Sequence, residues 1–512
     1  MLAHASPVVS RDVCDACRPC NYVSMSLRRN TLLNVTGAVV PLLVSLVTVP
    51  LYVELIGMDR YGVLMLVWIA TGYLGFFDVG IGRALAQRVA KLGQSGPDRV
   101  AQTIRTGLVA AAGFGLLGGI FGFLFLHAFW STYPDQFDDM ADEVLRSLPL
   151  LVVLVPSVTV IAAIRGAFHG LRHFVALNLL QSATQILMHI VPLTVASVFL
   201  VDLPLLVGSM LCVNALAVAI ALFFLRRSIP RMYEAGFAWS ELRRLFSFGR
   251  WAAASAVVGP LMVVSDRFLI STFMGAAAAA VYTIPFQLTQ RFTLLSGAFA
   301  AAAFPLMSSS TDPQGRCLAK DGQRVLSALL LTPLVVLVSF FSEFLQHWMG
   351  SDFAREAHHV GEILLIGFWF NSLASMPLSQ LHGAGRSRVV AAIHLLQLPF
   401  YLLALYLVVR HLGLAAVAGV FALRVFIDYL ALSAVAGSLR TALHFGIFPS
   451  ALVIGAYGAT LVFQDSAFAL RLAVAMTFIL AGAACAVAMA PEVACFLTNR
   501  TPGIKNAKKH GS

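Results

Sequence analysis

Charge is scarce in this chain. Of 512 residues only 12% are charged, while 59% are hydrophobic. A soluble domain carries about twice that charged fraction. The shortage excludes the string of about three soluble domains that length alone would suggest. Long polar connections are lacking too. The longest outer loops, around 131–146 and 346–360, are short and mostly acidic or mixed, which argues against a membrane enzyme that keeps catalytic groups in a large loop. No Walker motif and no nucleophile elbow falls in a plausible loop. No enzymatic activity and no cofactor is therefore expected. The seven cysteines imply no disulfide framework. Cys14, Cys17 and Cys20 form a C-x2-C-x2-C cluster, but no fourth cysteine or histidine follows at a ligand spacing, so no metal is expected. The alternative reading is an extra upstream segment before a start at Met25, where MSLRRNTLLN forms a compact basic lead-in. Nor does the first apolar core carry an A-x-A cleavage site. The first apolar core, Thr31 to Ile56, is too long for a cleaved signal peptide.

What is present is a series of apolar runs of membrane-spanning length. Fourteen spans are expected, at roughly 31–56, 61–82, 104–130, 147–168, 175–200, 205–225, 251–274, 279–306, 325–345, 361–382, 389–410, 414–436, 448–463 and 468–490. The net charge of +11 fits the Lys/Arg-rich cytoplasmic loops of membrane proteins and not nucleic-acid binding. Arg83, Arg88, Lys91, Arg99 and Arg105 follow span 2. Arg165 and Arg172 follow span 4, and Arg226, Arg227, Arg231, Arg243, Arg244 and Arg250 follow span 6. With Lys505, Lys508 and Lys509 of the tail they all fall on one side. That side is placed in the cytoplasm, with both termini, and the acidic STYPDQFDDMADEVLR is placed outside.

Spans 1–6 and 7–12 read as two halves. GLRHFVALNLLQ (Gly170–Gln181) matches RSRVVAAIHLLQ (Arg386–Gln397) at an offset of 216, and Gly57 and Tyr61 meet Gly275 and Tyr282. Six spans per half make these parallel repeats about an axis along the membrane normal, an arrangement of transporters with a site between the halves. The expected fold is an all-α polytopic membrane protein: two six-helix lobes related by a pseudo-twofold, plus two C-terminal helices. The expected divisions are an extension at 1–24, a lobe at 25–225, a cytoplasmic linker at 226–250, a lobe at 251–437, helices 13–14 at 438–490 and a basic tail at 491–512. Trp239, Leu242, Leu245 and Phe246 give the linker an amphipathic helix on the cytoplasmic face. Gly115-x3-Gly119 and Gly118-x3-Gly122 allow close helix approach.

The stretch VVSDRFLIST (Val263–Thr272) places Asp266 and Arg267 side by side in span 7. Each central charge costs about 2.5–3.5 kcal/mol on insertion, so the pair costs roughly 5–7. The nine Leu, Ile, Val or Phe residues in 251–274 return about 3–5 kcal/mol. Neighbours on a helix point about 100° apart, so the two charges are not expected to face each other squarely and need partners on other helices or a wet cavity. Gln287 and Arg291 share one face of span 8 at i, i+4, and Arg424 and Asp428 do so in span 12. Asp78 and Arg83 lie near the cytoplasmic end of span 2. They serve either as interfacial anchors, where charge is cheap, or in ion coupling. Arg424 and Asp428 are either a structural pair or part of the site. His127, His189 and His394 read as satisfied interior groups more readily than as a proton relay. Arg267, Arg291 and Arg424, with Gln287, suggest a net-positive cavity suited to an anionic ligand, because guanidinium forks match phosphate oxygens. Asp266, Asp428, Asp78 and Arg83 are left as ion-coupling or pairing groups.

These residues sit within a recognisable frame. The segment from Met25 carries Asn34, Pro50-Leu-Tyr, Leu55-Ile-Gly, Arg60-Tyr-Gly and Phe77-Asp-Val-Gly-Ile-Gly-Arg. It resembles the start of bacterial polysaccharide-biosynthesis flippases of the Wzx type. DRFLISTFMGAAAAAVYTIP resembles that family's second-half opening. The resemblance covers about the first 90 residues well and 245–305 fairly; the Cys-containing extension departs from it. It implies the multidrug/oligosaccharidyl-lipid/polysaccharide exporter superfamily and a central cavity between two lobes. It implies transport of a polyprenyl-diphosphate-linked oligosaccharide across the bacterial inner membrane for lipopolysaccharide or exopolysaccharide synthesis. Membrane lipids, a coupling proton or Na⁺, and polysaccharide polymerase and chain-length regulator proteins are the partners implied. A cation-coupled drug antiporter and a lipid II flippase are the alternatives.

Overall fold

The structure is a computed structural model, and it describes residues 25–73, 80–93, 96–132, 140–199, 201–309, 312–464 and 466–490. Asp78, the Cys14/Cys17/Cys20 cluster and the basic tail fall outside these residues. The described residues are helical throughout, with no strand among them. In the first half run α1 (Met25–Ile56), α2 (Met58–Tyr73), α3 (Ile81–Leu92), α4 (Pro97–Thr132), α5 (Ala141–Gly170), α6 (Phe174–Val198) and α7 (Leu203–Ser228). After a 3-10 turn at Pro230–Tyr233 come α8 (Trp239–Met274), α9 (Ala276–Gln290), α10 (Thr293–Ser309), α11 (Asp312–Met349), α12 (Ser351–Gly383), α13 (Ser387–His411) and α14 (Gly413–Val435). Then α15 (Leu439–Ala442), a π-turn at Leu443–Ile447 and α16 (Phe448–Phe463) follow end to end, before α17 (Phe468–Met489).

Every expected span meets helix, with three departures. In the second, α3 begins afresh at Ile81 after Gly80, whose φ is 75°; residues 74–79 lie outside the described residues. The eighth is broken between Gln290 and Thr293. At 15 residues, α9 is only about 22 Å long at 1.5 Å per residue, short of a hydrocarbon core about 30 Å thick. The seventh begins early, because the amphipathic linker stretch is the first turns of α8 and not a separate surface helix. Among the described residues eleven helices are long and apolar enough to cross a bilayer. The fourteen expected spans are not reached on that measure; the difference falls on α2, α8 and α9–α10.

Prolines inside these helices explain several cross-helix bonds. A proline has no N–H, so the carbonyl four residues before it loses its helical partner. Pro50 frees Leu46 O, and the indole Nε1–H of Trp348 on α11 donates to it at 2.6 Å. Pro449 frees Phe445 O in the π-turn, and Ser327 Oγ of α11 donates there. Each removed backbone bond thus becomes a tie between helices that are distant in sequence.

Glycines set the closest approaches. A Cβ at Gly115 would overlap Thr159 and Pro156, and one at Gly119 would press on Val152, so α4 and α5 touch along this stripe. Gly122 has open space around it, so the second glycine register is not used in the same way. A Cβ at Gly62 would overlap the carbonyl oxygen of Ala276. That contact seals α2 of the first half directly onto α9 of the second. It lies beside Gly57 and Gly275, whose φ values of 80° and 92° turn the chain into α2 and α9.

The two halves also share a turn. The N–H groups of Leu171, Arg172 and His173 donate to the carbonyls of Ala167, His169 and Phe168. Those of Ala384, Gly385 and Arg386 donate to Gln380, His382 and Leu381 in the same pattern. This pairing sets an offset of 213 between the turns, three fewer than the side-chain match suggested.

At the opposite end from Gly57, the start of α8 is pinned to the first half. Leu242 and Leu245 are buried against α3 and α4, while Trp239 remains exposed. The buried Glu241 accepts from Arg88 at 3.2 Å, from Thr103 Oγ1 at 3.2 Å and from Arg244 at 2.6 Å. Burial opposes its charge, but the hydrogen bonds and positive charges of Arg88 and Arg244 outweigh burial and hold the carboxylate below its usual pKa range.

Candidate functional site

A cavity opens between the halves, walled by Ser45 and Leu46 of α1, Met65 of α2, Gln287 and Arg291 at the end of α9, and Trp348 of α11. The cavity is narrow, about 10 Å³, roughly the room that one water molecule needs. A headgroup enters it only once the lobes part. Arg291 sits at the break itself. Its N–H donates to Leu288 O at 3.1 Å, and its carbonyl accepts from Leu294 at 3.0 Å, so a tight turn replaces the helix there. The side chain is exposed into the cavity. Among the described residues no carboxylate lies within ion-pair reach of it, and the cavity wall carries no acid. His189 of α6 is within electrostatic reach of the guanidinium. Its ring lies 4.9 Å from Trp68, and its carbonyl accepts from Tyr52 Oη at 2.6 Å. An unpaired cation on a broken helix, facing a partly polar space, is chemically ready for an anion.

Asp266 and Arg267 lie apart from that cavity, in the core of the second half. Arg267 Nη1 is 2.9 Å from Asp266 Oδ1, so the neighbours do meet. The long arginine stem folds back, overriding the angular separation of the two Cβ directions. Asp266 also accepts from Tyr282 Oη at 2.9 Å and from the Arg267 N–H at 2.8 Å. The guanidinium carbon lies 3.5 Å from the Phe286 ring centroid, and Nη1 donates to Val263 O. Both residues are almost fully buried, at 0% and 2% exposure. The pair is a closed, satisfied unit in this conformation.

Arg424 and Asp428 do not pair with each other among the described residues. Asp428 Oδ1 is instead 3.3 Å from His394 Nε2 and from Gln397 Nε2, both on α13. Arg424 lies over the rings of Tyr401 and Phe421, at 5.4 and 5.6 Å, close to the Asp266 unit. Competition from α13, the neighbouring helix, decides against the expected intrahelical pair. Arg83 is exposed on α3. His127 is exposed beside Phe123. Of the expected site residues, the structure therefore brings Gln287 and Arg291 into one cavity. It groups Asp266, Arg267 and Arg424 in a second, packed cluster.

Ser45, Met65 and Trp348 are cavity residues that sequence reasoning missed. Trp348 had a readable signal in Pro50, which leaves a carbonyl needing a donor; Ser45 and Met65 carried none. The motif Arg60-Tyr-Gly also gains a physical account. Arg60 forks onto Glu143, with Nη2 to Oε1 at 2.6 Å and Nε to Oε2 at 3.0 Å. Tyr61 is wholly buried, and Gly62 makes the contact with Ala276.

Comparison with known proteins gives a consistent set. Residues 27–311 match the polysaccharide biosynthesis protein family. A Shigella flexneri protein named "Putative O-antigen transporter" is 25% identical over 405 residues, covering 79% of this chain and 96% of that protein. The lipid II flippase MurJ in an inward closed conformation superposes with a TM-score of 0.67 at 11% identity, over 92% of this chain and all of that one. An inward-facing multidrug resistance MATE family transporter of the MOP superfamily superposes with a TM-score of 0.63 at 11% identity, over 81% of this chain and 98% of that one. At such identities these two structures speak for the fold alone.

Proposed function

Because the chain belongs to the polysaccharide biosynthesis protein family, we propose that it is a flippase for a polyprenyl-diphosphate-linked oligosaccharide, working by alternating access. The protein is a multi-pass membrane protein; the proposal places it in the bacterial inner membrane with both termini and the Glu241 end in the cytoplasm. In this reading residues 25–225 and 251–437 are the two lobes, and 438–490 add a helix pair. The observation that carries it is Arg291, a cation without an acid partner at the α9–α10 break, in a cavity between the halves. The diphosphate meets Arg291 and Gln287, while the polyprenyl tail stays in lipid. With α2 sealed on α9 by Gly62 and Ala276, the Gly57 end is shut and the headgroup enters from the cytoplasmic side. Arg267 and Arg424 then act in a second state, once rocking of the lobes opens their cluster, and Asp266, Asp428, Asp78 or Arg83 couples that motion to a proton or Na⁺.

A cation-selective drug exporter is the weaker reading, since a cavity wall with an arginine and no carboxylate repels cationic drugs. The test uses proteoliposomes holding a fluorescent polyprenyl-diphosphate oligosaccharide and an external quencher. Protein-dependent movement is expected. Arg291→Ala is expected to reduce it at least tenfold, which corresponds to the loss of one charge-assisted contact worth about 1.5–3 kcal/mol. Arg291→Lys keeps the charge without the fork and is expected to fall between. Unchanged movement in a folded Arg291→Ala protein removes Arg291 from the site. Efflux of cationic dyes with no lipid movement overturns the flippase reading.

A further inference from the structure

We propose that His358, His359 and Glu362 of α12 form a binding site for a divalent transition-metal ion, with zinc the best chemical fit. The site lies outside the interlobe cavity, in a separate cavity of about 50 Å³ between α11, α12, α16 and α17. His358 and Glu362 are four residues apart and His359 and Glu362 three, so a single helical face presents all three. Their ligand atoms lie within 4.8 Å of one another. Zinc bonds of about 2.0–2.2 Å join atoms up to about 4 Å apart, so a modest side-chain rotation draws the set onto one ion.

Two details favour a cation over a merely polar pocket. Glu362 is 0% exposed, and its Oε1 has no hydrogen-bond partner, while Oε2 is 3.3 Å from His359 Nδ1. A buried carboxylate oxygen left unmatched is costly, and an ion supplies what it lacks. His358 places Nδ1 2.7 Å from the Ala354 carbonyl oxygen. That bond fixes the Nδ1–H tautomer and leaves Nε2 as a free ligand, the arrangement by which backbone carbonyls orient metal-bound histidines. Two imidazoles with one carboxylate select zinc and its neighbours over calcium or magnesium, which prefer oxygen. The ion keeps a net charge of about +1 at this site. Glu343 on α11, in the same cavity, is paired with Arg471 of α17 at 3.0 Å. Glu362 therefore offsets half of the ion's charge.

Zinc binding to the full-length chain, purified in detergent without a histidine tag, tests the site. Cys14, Cys17 and Cys20 are replaced by serine in every sample, so that thiolates do not compete. The expected result is one zinc per chain by calorimetry, with Co²⁺ able to substitute and excess Mg²⁺ or Ca²⁺ unable to compete. Glu362→Gln and His358→Ala are each expected to weaken binding at least tenfold while the thermal melt shows a folded protein. If Glu362→Gln fails to fold, His358→Ala decides alone, since its side chain is only partly buried. A folded parent chain that binds no zinc overturns the site. So do variants that bind zinc as the parent does, or Ca²⁺ that competes on equal terms. No transport is measured, so the result stands or falls independently of the flippase reading.

Discussion

Asp266 carries two kinds of partner, and removing each has a different cost. Tyr282→Phe deletes one donor to a fully buried carboxylate, and the protein is expected to lose about 1–3 kcal/mol, read as a lower melting temperature in detergent. Asp266→Ala leaves Arg267 buried without its counter-charge and is expected to cost about 3–5 kcal/mol, read as poor recovery of folded protein. A melting temperature unchanged in both would mean that the unit is not structural. The presence of the two charges was legible from sequence, and so was their need for a partner on another helix. Which partner was not legible. Tyr282 is reached across the α8–α9 turn at Gly275, and nothing in a linear spacing marks a tyrosine as an acid's donor. For Arg291 the sequence showed no acid in register on its own helix, and the cavity wall supplies none.

The indole of Trp348 ties α11 to α1. Trp348→Phe keeps the ring but removes the donor to Leu46 O, and about 1–3 kcal/mol of destabilisation is expected, with Pro50→Ala partly restoring the melting temperature because it returns the helical N–H. A lack of rescue would show that Trp348 acts through packing alone. At the other end, Glu241 ties α8 to α3 and α4. Its folded pKa is depressed, so its stabilisation is full above the unfolded carboxylate pKa of about 4.3 and disappears as pH falls through the lower folded value. The melting difference between the parent and Glu241→Gln is therefore expected to stay constant from pH 7 to about 5 and to close below 4. A difference that widens on acidification would contradict this sign. The existence of most helices was readable because long apolar runs dominate. The turns at Gly80 and at 291–292 were not, since hydropathy averaged over a span hides so short a turn.

At the scale of the whole molecule, the seam at Gly62 and Ala276 predicts one-sided access. In a chain whose seven native cysteines are serine, Gln287→Cys is expected to react with an impermeant thiol reagent supplied at the Glu241 end and to be protected from the Gly57 end. Equal labelling from both sides would mean that the seam does not close the cavity. The repeat was legible in outline, but its register came from backbone bonds at 167–173 and 380–386 and not from side-chain identity. The interrupted α9–α10 segment bears on biogenesis as well. A translocon partitions one nascent segment at a time by its apolarity, and this one offers a short helix, a turn and an unpaired arginine. Alone it is a poor client for lateral release, so it has to wait beside α8 until α11 and α12 arrive to shelter it. Membrane insertion is thus expected to pause within the second half, and truncations ending near residue 310 should be degraded where those ending near 230 survive.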